Sequence, residues 1–148
     1  LLKLFILRHG KAGDGIPDTM RELKARGRED VRKVVESRKA ELLSVRQIQS
    51  SALVRAEQTA AIVAEVLDYQ GDIIENMYLT PWARPIEFLN SIEEDAGDLL
   101  VASHQPFVSD LVSCLTGEDI WMPTSSLVCV EAEYMLPGTA ELLWQVNP

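Results

Sequence analysis

Lys3-Leu4-Phe5-Ile6-Leu7-Arg8-His9-Gly10 opens the chain with an unbroken apolar run that ends on two basic residues and a glycine. The run is too short for a helix and lacks the alternation of a strand with one wet face. It predicts a strand buried on both faces, as in a parallel sheet covered by helices. The pattern returns at Leu99-Leu-Val-Ala-Ser103, followed by His104-Gln105-Pro106. Between and beyond these runs, strand and helix signals alternate. Val45 to Ser50 and Ile73 to Tyr78 read as strands. Leu53, Ala56, Ala60, Val63 and Leu67 recur at helical spacing, so Leu53 to Leu67 is an amphipathic helix. A weaker helical spacing of Leu23, Val31, Val34 and Val35 lies in the charged stretch from Leu23 to Ala40. Pro85 suits the first residue of a short helix to Ile92, where a missing N–H costs nothing. Pro106 can open another helix, with Val108, Leu111, Val112 and Leu115 on one face and a stop at Gly117. Two last strands, Leu127 to Glu133 and Glu141 to Val146, flank a Pro137-Gly138 turn.

Strands separated by helices predict an α/β fold with a mainly parallel central sheet, helices on both faces, and an antiparallel C-terminal strand pair. At 148 residues the chain is expected to form one domain, 1–148. Its 47% apolar content, with eight Gly and seven Pro, excludes collagen-like, disordered and disulfide-scaffold classes. Fourteen basic against 23 acidic residues give a net charge of −9, which argues against nucleic-acid or anionic-membrane partners. The apolar opening is too short to span a membrane and has no small-residue cleavage site after it. Cys114 and Cys129 have no metal-ligand spacing and read as ordinary buried thiols, so a cytoplasmic location is expected. Trp82, Trp121 and Trp144 can belong to core or interface, and core is expected for at least two of them.

In open sheets, ligands bind beyond the carboxyl ends of the strands. After the first strand comes Arg8-His9-Gly10. A buried guanidinium without a partner is costly, and Gly10 leaves room for a ligand near the backbone. The alternative is an ordinary loop, but the tripeptide arises by chance in only about one chain of this length in a hundred. Arg55 falls in the first turn of the helix after Ser50-Ser51, where the dipole disfavours a cation. It is either a solvated surface charge or a partner of the free N–H groups in holding an anion. A lone loop histidine such as His104 is often structural, yet both histidines of the chain follow predicted buried strands. Arg8, His9, Arg55 and His104 would converge on one sheet edge, an arrangement suited to phosphoryl transfer. Two guanidiniums grip nonbridging oxygens. One imidazole attacks phosphorus, and the other donates to the charge developing on the oxygens. No carboxylate cluster or close histidine pair suggests a metal, and no cofactor is expected.

These residues resemble a known family. Arg8-His9-Gly10, the Ser-x-x-x-Arg-Ala-x-Gln-Thr block from Ser51 to Thr59, and the late Ser103-His104 are similar to the histidine phosphatase superfamily, which has a phosphoglycerate mutase-like fold. Arg-Ala-Glu-Gln-Thr at 55–59 and Ser-His-x-Pro at 103–106 narrow the resemblance to its SixA-like phosphohistidine phosphatase branch. The resemblance spans Leu4 to about Leu115 by motif. It implies His9 as nucleophile, with Arg8, Arg55 and His104 forming the phosphate pocket and no metal. Asp18 and Arg21 match a family segment at the mouth of the site; with Gly10 and Ser103 they complete the expected substrate-binding set.

Two departures stand out. The family's Arg-x-Leu-Thr helix start is here Arg21-Glu22-Leu23-Lys24, so the Thr N-cap is missing, at a cost of about 1 kcal/mol. Larger members that cleave phosphate esters use an acidic residue to protonate the leaving oxygen, and none aligns here; Glu87 and Asp18 are candidates. An alkoxide needs such an acid, whereas imidazole, with a pKa near ~6.5, leaves more readily. The expected activity is hydrolysis of phosphohistidine on a protein through a phosphohistidine intermediate at His9. A small-molecule phosphomonoesterase or mutase of the same family is the alternative, with a small phosphorylated substrate in place of the phosphoprotein. A non-catalytic phosphate-binding module is a further one, although binding alone would not need both histidines. The short stretch from Leu79 to Ile86 leaves little to build a lid, so an open pocket is expected. The pocket should be a basic well in an acidic surface.

Overall fold

The opening run becomes β1 (Leu2–Arg8) in the computed structural model, which describes residues 1–148. There follow α1 (Ala25–Ser37), α2 (Lys39–Leu42), β2 (Gln47–Ser50), α3 (Val54–Leu67), β3 (Ile74–Glu75), α4 (Pro85–Ser91), β4 (Leu99–Ser103), α5 (Phe107–Thr116), β5 (Leu127–Ala132) and β6 (Glu141–Val146). The strands lie in the order β3-β2-β4-β1-β5-β6. β1 to β4 are mutually parallel, β5 runs antiparallel to β1, and β6 antiparallel to β5. The α/β architecture is the one expected.

Side chains of successive strand residues point to opposite faces, and β1 is apolar at both sets of positions. Leu4 and Ile6 join Leu99, Val101, Val128 and Val130 under Phe88 of α4 and Phe107 and Leu111 of α5. Phe5 and Leu7 join Ile48, Leu100, Ala102 and Leu127 under Val31, Val34 and Val35 of α1 and Ala60 and Val63 of α3. Each fully buried side chain of this size stabilises the fold by about 1.5–3 kcal/mol. Both faces are covered, and the carboxyl ends of β1, β2 and β4 are held rigidly side by side. No helix is long and apolar enough to cross a membrane.

Three local expectations are corrected. The helix expected from Leu23 to Ala40 starts at Ala25 and breaks at Arg38 (φ −122°, ψ 19°). Leu23 is instead bridged to Ala12, and its N–H donates to Gln58 Oε1 at 2.8 Å. Lys24 caps α1 without a side-chain hydrogen bond, in keeping with the missing Thr. The strand expected from Ile73 to Tyr78 is only two residues long at the sheet edge. Asn76 accepts a hydrogen bond from the Tyr78 N–H at 2.8 Å and turns the chain into a 3-10 helix over Met77–Leu79. The tryptophans are not core residues. Trp82 and Trp121 are exposed on loops beyond the strand ends, and Trp144 on edge strand β6 is half-buried between Phe5 and the Arg38 guanidinium. Cys129 is buried, and burial pushes its thiol up to about 11; Cys114 is only partly buried.

Candidate active site

Strand register brings the two histidines together. Arg8 of β1 pairs with Ser103 of β4, so the next residues, His9 and His104, leave neighbouring strands at the same height. Their ring centroids lie 5.0 Å apart, and the His9 N–H donates to the Ser103 carbonyl at 2.9 Å. On the other side of β4, Ser50 of β2 pairs with Ala102. Ser51 therefore emerges beside His104, with Oγ 2.6 Å from Nε2. α3 starts three residues later and carries Arg55 in its first turn.

His9 is 9% exposed, and its Nδ1 lies 2.7 Å from the Gly10 carbonyl oxygen. A carbonyl can only accept, so Nδ1 carries the proton and Nε2 keeps its lone pair. Burial lowers the His9 pKa to about 4, aided by the nearby Arg55 and Arg8 charges and opposed by the Gly10 carbonyl. His104 is 1% exposed, and burial, then His9 and Arg55, lower its pKa to about 3. Both rings are neutral at pH 7. His104 Nδ1 is buried with no hydrogen-bond partner, as is Arg8 Nε.

The arginines are held at fixed angles. Arg8 Nη1 donates to the Met122 carbonyl at 3.0 Å, and its guanidinium carbon lies 5.6 Å from the centre of the Trp121 ring. Arg55 is 6% exposed, which excludes a solvated surface charge. It donates to the Asp18 carbonyl at 3.0 Å and to Asp18 Oδ2 at 3.3 Å. Arg21 donates to the Gly13 carbonyl at 2.8 Å and to Asp18 Oδ1 at 3.0 Å. The Arg21 hydrogen bond and the Arg55 charge hold the Asp18 carboxyl below the usual carboxylate range.

Arg8, His9, Asp18, Arg21, Arg55 and His104 all line one cavity of about 460 Å³. Lys11 and Lys24 add two further cations, so five cations share the wall with one carboxylate, Asp18. The segment from 79 to 86 contributes only Pro81 and Trp82. No group of three or more His, Cys, Asp or Glu side chains is placed to hold a metal ion.

Three expected site residues lie outside this wall. Glu87 is turned away on α4, where its nearest cation is Arg84 at 3.8 Å, so it cannot donate a proton in the cavity. Ser103 is fully buried and donates to the Leu79 carbonyl at 2.5 Å, which occupies the hydroxyl proton. Gly10 faces α1 and not a ligand: a Cβ there would lie 2.7 Å from the Gly27 carbonyl oxygen and 3.0 Å from Val31 Cγ2. Its N–H donates to Thr59 Oγ1 at 3.2 Å, and that hydroxyl donates to the Arg55 carbonyl at 2.8 Å. Thr59 thus ties the His9 loop to α3. Ser51 and Thr59 belong to the 51–59 motif, yet neither could be given a role before the strands were aligned.

Comparisons with known proteins place the chain in a family. Residues 4–79 match the family model of the histidine phosphatase superfamily (branch 1). The chain is 30% identical to the phosphohistidine phosphatase SixA of Escherichia coli (strain K12), over 99% of this chain and 94% of that protein. The solved structure of the protein histidine phosphatase SixA complexed with tungstate superposes with a TM-score of 0.88 at 28% identity, covering 99% of this chain and 97% of the other. A mycobacterial glucosyl-3-phosphoglycerate phosphatase shares the fold alone, with a TM-score of 0.70 at 15% identity and coverage of 97% and 98%. A family match over half the chain and a relative aligned almost end to end leave one assignment: the chain belongs to the histidine phosphatase superfamily and is a metal-independent phosphatase of its SixA-like branch.

Proposed function

We propose that this phosphatase hydrolyses phosphohistidine carried on another protein, through a phosphoryl intermediate on His9 Nε2. The observation that carries the reading is the 2.7 Å contact of His9 Nδ1 with the Gly10 carbonyl, which leaves Nε2 as a neutral nucleophile. Its lone pair attacks phosphorus as the bond to the substrate's imidazole nitrogen breaks, and the departing nitrogen takes a proton from water. Arg8 and Arg55 grip the nonbridging oxygens, and His104 Nδ1 supplies a hydrogen bond to the charge gathering there. For Nδ1 to donate, the Ser51 hydroxyl must donate to His104 Nε2. Ser51 Oγ also accepts from the Leu53 N–H at 3.4 Å, which leaves its own proton free for that bond. Phosphorylated His9 retains the proton on Nδ1 and is formally cationic, hence a good leaving group. Water then attacks phosphorus, the P–N bond breaks, and inorganic phosphate leaves with the release of one proton.

The leaving group follows from the acids available. Asp18 is the one carboxylate in the wall, and its pairing with Arg21 and Arg55 keeps it ionised, so it is a poor proton donor. Without a dedicated acid, departure of an imidazole is favoured over departure of an alkoxide. The similarity to SixA, a phosphohistidine phosphatase, supports the same substrate class. We infer a cytoplasmic setting, consistent with two unpaired cysteines. The test compares a histidine-phosphorylated protein with a panel of sugar phosphates and phosphoglycerates, while trapping the enzyme in acid-free denaturant. Rapid turnover of the former, with an alkali-stable, acid-labile phosphoryl group lost in His9→Ala, is the expected result. Faster turnover of an alkyl phosphate would overturn the leaving-group argument, and an unchanged rate in His9→Ala would overturn the nucleophile.

A further inference from the structure

Large apolar side chains stand exposed on three segments around the phosphate well. Trp82 lines it and is 82% exposed. Trp121, 68% exposed, lies against Arg8, which lines the well. Ile16 and Met20, also exposed, flank Asp18 in the segment that supplies Asp18, Arg21 and Lys24 to the wall. Tryptophan is normally well buried; the Arg8 contact covers only part of Trp121, and Trp82 has no account in the fold. Exposed aromatic residues near the centre of a contact surface are the commonest anchors of protein association. We infer that these side chains form a docking collar for the protein that bears the phosphohistidine, with Trp82 and Trp121 as its anchors; the inference rests on the phosphohistidine reading above.

Charge specifies the partner further. The well is cationic, but the collar segments carry the exposed acids Asp14, Glu22, Glu118 and Asp119 close by in sequence, against one exposed cation beside Trp82, Arg84. The complement is an anionic phosphoryl group at the centre of an apolar patch, itself edged with lysine or arginine. A free phosphorylated amino acid that fills the well meets at most the Trp82 edge of the collar and leaves the rest unused.

The experiment uses a small folded protein phosphorylated on one surface histidine, and N-phosphohistidine as the free amino acid, with wild type, Trp82→Ala, Trp82→Phe and Trp121→Ala. The expected result is that the ratio of kcat/KM for the protein to kcat/KM for the free amino acid falls about tenfold in each alanine variant. Trp82→Phe, which keeps an aromatic face, should recover most of the ratio. Because Trp82 is largely exposed, its removal leaves the core untouched. Trp121→Ala can also loosen Arg8, but that would lower both rates together and leave the ratio unmoved. An active wild type with an unchanged ratio in both alanine variants overturns the collar alone. A wild type inactive on both substrates overturns the phosphohistidine reading and the collar with it.

Discussion

Ser51→Ala isolates the orientation of His104 from its presence. The substitution deletes the hydroxyl 2.6 Å from Nε2 of a ring that is almost wholly buried, with no other polar partner on either nitrogen. Leaving a buried polar atom unpaired costs about 1–3 kcal/mol. Part of that is lost from folding, and part from the transition state, because the ring is no longer held with Nδ1 protonated. Removing a donor outright from a developing oxyanion costs about 10²–10³ in rate; removing only its support should cost less, about 10- to 100-fold in kcat. The assay is kcat on an activated aryl phosphate for Ser51→Ala, His104→Ala and the double variant. If Ser51 acts through His104, the double variant is no slower than His104→Ala, because the two substitutions break one interaction. Multiplying losses, or a wild-type kcat in Ser51→Ala, would refute the reasoning.

Four further outcomes are expected. With the His9 pKa lowered to about 4, kcat/KM should hold from neutrality into the acid range and fall as pH passes through about 4; an acid limb centred near the ordinary histidine value of ~6.5 would show that Nε2 is not shielded as described. Since both histidines are depressed, the unfolded chain takes up protons first, so thermal stability should decline as pH drops from about 6.5 to about 4, and His9→Asn should flatten that decline. Gly10→Ala forces a methyl group against the Gly27 carbonyl and should cost about 1–3 kcal/mol, read as a fall in Tm, together with activity as His9 shifts; an unperturbed Tm would mean that the loop yields freely. Asp18→Asn removes the carboxylate that occupies Arg21 and Arg55, so inorganic phosphate should inhibit several-fold more tightly by its inhibition constant, and weaker inhibition would show that Asp18 helps to hold the anion.

What was legible in the sequence is what one strand or helix decides by itself. β1 and β4 announce themselves because both of their faces are apolar, and a residue at the end of such a run must sit at the sheet edge. That places His9 and His104 on one edge, but their contact depends on the Arg8–Ser103 register, which no single segment encodes. The same limit hides Ser51 and Thr59, whose hydroxyls reach the site through partners 53 and 49 residues away. Gly10 was expected to let a ligand approach the backbone, but what approaches it is the backbone of α1. Glu87 was a candidate proton donor by residue type alone, and it fails because α4 presents it away from the cavity. Trp82 and Trp121 depart from the expectation for their residue type because they lie on loops past the strand ends, where there is no face to bury them.

The net charge of −9 is the balance of two opposed fields. Five of the 14 cations and only one of the 23 acids line the cavity, so the rest of the chain carries nine cations against 22 acids. In physiological salt these fields reach about 8 Å. An anion approaching from farther away meets the acidic surface, and it feels the five cations only once it is at the mouth. A nucleic acid, with charges spread over many Debye lengths, would lay most of its phosphates against repulsive surface to place one in the well. A single phosphoryl group incurs no such penalty, and the buried Arg55 and half-buried Arg8 guanidiniums then hold it with reduced screening. The same arrangement denies the enzyme long-range steering toward an anionic partner. Beyond the phosphoryl group, the proposed collar adds short-range apolar contact, and a basic edge on the partner would meet the acidic surface favourably.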